Sequence, residues 1–176
     1  MKNIVIIGMP GAGKSTMGVI LAKALGRPFI DTDLVIQEKT GMLLQEILDR
    51  QGTDAFTRIE QKAVLSLRAK NAVVATGGSV VFSRRAMEHL KKSGVIIYLE
   101  ISFAEMEKRL QNITTRGIVL HEGESLREMY NWRAPLYQKY ADITVACTDA
   151  AFEDCVEEVI RVLGSRFAIR PGAEIP

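Results

Sequence analysis

The run "GMPGAGKS", Gly8 to Ser15, limits what this chain can fold into more than any other stretch. It fits the pattern G-x-x-x-x-G-K-[ST], follows the Val/Ile-rich run "NIVII" and opens a segment with helical spacing, so it reads as a strand–loop–helix phosphate cradle. Its glycines leave successive backbone N–H groups to wrap phosphate oxygens, and the helix N-terminus adds positive dipole. Nucleotide contacts are therefore expected at Gly11, Ala12, Gly13, Lys14, Ser15 and Thr16. Lys14 would bridge the β- and γ-phosphates of ATP, and Ser15 would offer its hydroxyl to Mg²⁺. A plain glycine-rich turn has no need of Lys-Ser at its exit.

The rest of the chain fits the same architecture. "RPFID", "NAVVAT", "VIIYLEI" and "ADITVA" are further short apolar runs bounded by turn residues, and they read as buried strands. Helical spacing is expected over 14–25, 34–50, 54–69, 83–92, 103–111 and 125–139. The alternation predicts a parallel sheet covered on both faces. Ser83 and Ser102 stand as N-caps, and Gly26, Gly94 and Gly164 as helix stops. Residues 112–124, "NITTRGIVLHEGE", have no clean period and read as a mobile loop, and 165–176 as a loosely held tail. A single domain over 1–164 with a lid at about 112–124 is the expected organisation.

The third apolar run ends without an acid, so the carboxylate that usually holds magnesium is sought in "FIDTD". Strand alternation would send Asp31 and Asp33 to one side, Asp31 to hold Mg²⁺ through water and Asp33 to face an acceptor hydroxyl. "DRQG", 49–52, resembles a GTPase switch, but its surroundings have helical spacing and no N-K-x-D follows. Phosphoryl transfer also wants an arginine brought in by a lid. Arg109 and Arg116 flank the irregular segment, and Arg116 is the better placed. The net charge of +2, spread among interleaved acids, does not call for nucleic acid. Two cysteines without metal-ligand spacing, and no apolar run of membrane-spanning length, set the expectation of a cytoplasmic protein.

With "DTD" (31–33), "FTRIE" (56–60), "ATGGSVV" (75–81), "VIIYLEIS" (95–102), Arg116 and "RAPLYQKYAD" (133–142) added to the loop, the chain resembles the shikimate kinase family over nearly its whole length. The resemblance implies a three-layer α/β P-loop kinase fold, with a five-stranded parallel sheet, helices on both faces and a small closing lid. It implies ATP and Mg²⁺ at Lys14, Ser15 and Asp31, and Asp33 binding or activating the acceptor hydroxyl. Gly77 and Gly78 would offer backbone N–H groups to the substrate, Arg133 would pair with its carboxylate, Arg116 would swing in with the lid, and Arg109 would stack on adenine.

Three places depart from the family pattern. Its F-R-x-x-E has Thr57 where the arginine belongs, its glycine triplet ends in Ser79, and its R-P-L-L lid reads "RGIV". At about 100° per residue, Phe56, Ile59, Ala63, Val64 and Leu67 share one face of the helix with Glu60. Arg58 lies on the other side, so Thr57 and Glu60 are the inward polar groups and Arg58 a solvated charge. The expected activity is phosphorylation of a small hydroxy acid, shikimate by resemblance. Homoserine is the rival acceptor, since one arginine, Glu60 and two hydroxyl side chains suit an amino group. A catalytically silent ATP-binding regulator is the alternative of another class. The expected partner is the small-molecule acceptor alone, for a monomer with no nucleic acid and no membrane.

Overall fold

The computed structural model describes residues 2–111, 118–120, 122–147 and 152–169. Five strands, β1 (Asn3–Gly8), β2 (Phe29–Asp31), β3 (Val73–Ala75), β4 (Gly94–Glu100) and β5 (Ile143–Ala146), form one sheet in the order β2-β3-β1-β4-β5. Every pairing is parallel, with Val5 beside Val74 on one side and Ile96 on the other. β1 is buried along its whole length, as a central strand covered on both faces requires. At the sheet edge β5 alternates instead, burying Ile143 and Val145. This is the α/β P-loop kinase fold that the resemblance implied.

Seven helices cover the sheet: α1 (Lys14–Leu25), α2 (Thr32–Thr40), α3 (Leu44–Ser66), α4 (Arg84–Ser93), α5 (Phe103–Gln111), α6 (Leu126–Tyr140) and α7 (Phe152–Phe167). Ser83 caps α4 by accepting from the Ala86 N–H, and Ser102 accepts from the Glu105 N–H at the start of α5. Among the described residues no helix is long and apolar enough to cross a membrane.

Helix boundaries differ from expectation in four places. The expected helix over 34–50 is divided at Gly41–Leu43, where the Gly41 N–H closes α2 on the Gln37 carbonyl and the Glu46 carboxylate takes the Leu43 N–H. The expected gap after residue 50 is only a kink, because Gly52 alone leaves helical geometry (φ 78, ψ 173) inside α3. Gly94 is no helix stop of the left-handed kind. It opens β4 in extended backbone, and a Cβ there would press on the Asn3 carbonyl at 3.0 Å, so it lets β4 lie close to β1. Gly164 sits within α7, which buries Cys155, Val156, Val159 and Leu163 at helical spacing and continues to Phe167. Pro135 lies inside an unbroken α6. The carbonyl it leaves without an amide belongs to Asn131, on the exposed face of the helix where water can serve it.

The core is divided in two. The larger cluster fills both sides of the sheet, and a smaller one (Ile36, Ile47, Phe56, Ala63 and Val119) joins α2 and α3 to the segment 118–120. The functional cavity opens between this smaller cluster and the ends of β1 and β3.

Candidate functional site

A cavity of about 470 Å³ lies over the C-terminal ends of the strands, where parallel sheets of this kind bind ligands. Its lining includes Lys14, Ser15, Asp31, Asp33, Glu60, Gly77, Gly78, Ser79 and Arg133, so nine of the residues singled out in the sequence meet in one place.

The nucleotide side is the turn from β1 into α1. Gly11 and Gly13 hold positive φ (79 and 86), the left-handed backbone that directs consecutive amides inward and that residues with a Cβ avoid. Gly13 is also the residue before α1, which aims the helix N-terminus into the loop. Lys14 Nζ donates to the Gly8 and Met9 carbonyls at 3.0 and 2.8 Å, spanning the loop. Ala12 is fully buried and its N–H donates to Met9 O, which makes it a brace of the turn, while Thr16 is exposed on α1.

Ser15 and Asp31 supply hard oxygen donors side by side, the Ser15 hydroxyl donating to Asp31 Oδ2 at 2.7 Å. A serine hydroxyl and one carboxylate fit Mg²⁺, which keeps several waters and takes its remaining ligands from phosphate. Among the described residues no cluster of three or more His, Cys, Asp or Glu could enclose a metal, in keeping with such an open site. Asp31 and Asp33 do reach one cavity, but not by strand alternation. β2 ends at Asp31, whose Oδ1 caps α2 by accepting from the Asp33 N–H (2.9 Å), and Asp33 stands in the first helical turn.

On the acceptor side Glu60 and Arg133 are each 1% exposed. Ser79 Oγ donates to Glu60 Oε2 at 2.6 Å, while among the described residues Glu60 Oε1 has no hydrogen-bond partner. Burial pushes the Glu60 carboxyl up to about 7; Ser79 pulls against this, Asp33 adds to it, and Arg133 and Lys14 oppose it. Arg133 donates from Nη2 to the Val119 carbonyl, which ties α6 to segment 118–120, and its Nε is without a partner among the described residues. Tyr137, one turn along α6, donates to the Gly78 carbonyl at 2.6 Å, and burial raises its phenol above the ordinary value.

Two acceptor-side residues stand differently from the expectation. The Gly77 N–H donates to Thr32 Oγ1 (3.1 Å). What Gly77 supplies is space: a Cβ there would collide with Glu60 Oε1 and meet Asp33 Oδ1 at 3.0 Å. Thr57 lies outside the cavity lining, with its hydroxyl turned back to the Thr53 carbonyl of its own helix at 3.0 Å, whereas Phe56 and Glu60 are buried and Arg58 is exposed as the helical geometry required.

Arg109 is held at the phosphate loop. Its Nε donates to Glu105 Oε1 (2.8 Å) and its Nη1 to the Gly11 carbonyl (3.0 Å). Arg116 falls outside the described residues, as does Gly117. Sequence reasoning missed Phe152, whose ring edge lies against Gly13 at the head of α7, and the apolar wall of Leu34, Leu43, Leu44, Ile118 and Val119. Phe152 opens α7, a helix absent from the segments expected from the sequence; the wall residues come from three separate segments that only the fold brings together.

The shikimate kinase family profile matches residues 10–164. A shikimate kinase of Thermodesulfovibrio yellowstonii is 39% identical over 164 residues, which span 92% of this chain and 94% of that protein. A stretch of human threonine synthase-like 1 is 36% identical over 165 residues, spanning 92% of this chain and 22% of that protein. Among solved structures, a shikimate kinase from Acinetobacter baumannii in complex with shikimate has a TM-score of 0.85 at 31% identity and covers 94% of both chains.

Proposed function

Because the chain belongs to the shikimate kinase family, we propose that it transfers the γ-phosphoryl of ATP to a hydroxyl of a small carboxylic acid seated between Asp33 and Arg133, shikimate being the first acceptor to test. The enzyme class is that of an ATP-dependent phosphotransferase with an alcohol acceptor. The observation that carries the reading is the single cavity that lines up Lys14, Ser15 and Asp31 with Asp33 and Arg133.

The loop amides and Lys14 hold the nucleotide phosphates and offset their charge. Ser15 and Asp31 would hold Mg²⁺, which when bound neutralises charge developing on the phosphoryl oxygens. Asp33 accepts the proton of the acceptor hydroxyl, and Arg133 fixes the acceptor by its carboxylate, so the two reactants are held in one geometry. Arg116 is proposed as the lid arginine that completes the charge around the moving phosphoryl. Arg109, whose Nη1 meets the Gly11 carbonyl at the phosphate loop, is proposed as the residue that stacks on adenine.

ADP release with Mg-ATP and shikimate tests this directly. Asp33→Asn should lower kcat about 10²- to 10⁴-fold with little change in the KM for ATP, as loss of a general base does. Tight ATP binding with no acceptor-dependent ADP from any hydroxy acid would instead identify a silent nucleotide binder.

A further inference from the structure

The acceptor pocket carries an imbalance of charge. Asp33 and Glu60 stand against Arg133, while Lys14 belongs to the phosphate side. The family pattern would add a second arginine at residue 57. Here Thr57 is occupied with its own helix, and Glu60 is held by the hydroxyl of Ser79. A hydroxyl holds the carboxylate in place but brings no positive charge.

Among the described residues Glu60 Oε1 is buried without a hydrogen-bond partner, against the bare face of Gly77 that Asp33 Oδ1 also approaches. A buried carboxylate oxygen in this position is strongly stabilised by a donor, and by a cationic donor most of all, because two negative charges converge there. Burial first, and Asp33 after it, pulls the Glu60 carboxyl upward. Arg133, with one guanidinium and an unpartnered Nε, matches one carboxylate.

We propose that the acceptor is a small hydroxy acid that also carries an ammonium group, with Glu60 Oε1 binding the ammonium, Arg133 the carboxylate, and Ser79 positioning Glu60. The proposal rests on the kinase reading above and narrows its substrate class. A zwitterion of this kind gives Glu60 and Arg133 each a partner of opposite charge and leaves Asp33 to the acceptor hydroxyl, whereas an acceptor with a carboxylate and hydroxyls alone brings Glu60 no cation.

The test compares ADP release by the full chain with L-homoserine, 4-hydroxybutyrate and shikimate, at saturating Mg-ATP. The first two share a carbon skeleton, hydroxyl and carboxylate and differ only in the amino group. Homoserine should exceed 4-hydroxybutyrate in kcat/KM by about ten- to a hundredfold or more, the value of one charge-assisted hydrogen bond. Glu60→Gln should shrink that ratio through KM for homoserine, and Ser79→Ala should raise the same KM while sparing the KM for ATP. Thr57→Arg should reverse the preference towards shikimate. Unchanged affinity for ATP checks that each variant is folded. Efficient use of shikimate with equal rates for homoserine and 4-hydroxybutyrate, or a ratio unmoved by Glu60→Gln, overturns the ammonium assignment and leaves the kinase standing. No ADP from any acceptor overturns both.

Discussion

Glu60 links the chemistry of the site to the stability of the molecule. Its carboxyl is raised from 4.5 to about 7 in the folded protein, chiefly by burial. Between those values the folded chain holds a proton that the unfolded chain has released, so stability from this group is fully present below about pH 4.5 and is lost as pH rises through 7. At 1.36 kcal/mol per unit the loss amounts to about 3 kcal/mol. Glu60→Gln, which cannot ionise, should therefore lose less stability than the parent between pH 5 and pH 8. Urea unfolding of both proteins at the two pH values measures this, and equal pH dependence would show that Glu60 is not the buried acid it is taken to be. Such a cost retained in the core of the fold is the mark of a binding site, where the missing compensation arrives with the ligand. Ser79 holds one oxygen and nothing in the described residues holds the other.

Helix α3 places Glu60, and its kink decides how. Residues 53–66 present Phe56 and Glu60 inward, while the first half of the helix brings Leu44 and Gln45 to the cavity. Gly52 joins the halves at φ 78, ψ 173, a region closed to residues with a Cβ, although nothing lies within 4 Å of where one would stand. Substituting alanine thus tests backbone strain alone. Gly52→Ala should destabilise the protein by about 1–3 kcal/mol, seen as a lower urea midpoint, and should raise the KM for the acceptor more than that for ATP. An unchanged midpoint would mean that the helix straightens there without cost. The sequence made the apolar face of this helix legible, because Phe56, Ala63 and Val64 repeat with its period, and it therefore placed Arg58 in solvent. It could not reveal that the Thr57 hydroxyl folds back on Thr53, since a threonine one position off the buried face serves equally a ligand or its own helix. The strand ends and loop were readable for a similar reason: "GMPGAGKS" dictates its own backbone, whereas the break at Gly41–Leu43 depends on a capping contact from Glu46, and the Gly77 amide on Thr32, 45 residues away.

At the scale of the whole molecule, the phosphate loop is where separate parts of the chain are fastened together. β1 leads into it and α1 leads out; Arg109 of α5 donates to Gly11, and Phe152 of α7 lies against Gly13. A nucleotide bound there therefore stabilises contacts among four elements rather than a loop alone, and its binding free energy adds to that of the fold. At a hundredfold excess over Kd the gain is about 2.7 kcal/mol, which for a chain of this length corresponds to a rise in Tm of roughly 5–11 °C. Part of it should require Mg²⁺, held through Ser15 and Asp31. Ser15→Ala keeps the loop backbone and removes the hydroxyl that now meets Asp31 Oδ2. Thermal melts with a non-hydrolysable ATP analogue, with and without Mg²⁺, should give a metal-dependent increment in the parent that is lost in Ser15→Ala and reduced in Asp31→Asn. Lys14→Ala should diminish the shift under both conditions, because it removes charge that meets the phosphates whether or not metal is present. An increment that survives in Ser15→Ala would place the metal on other ligands, and with it would fall the division of the cavity into a phosphate side at Ser15 and Asp31 and an acceptor side at Asp33, Glu60 and Arg133.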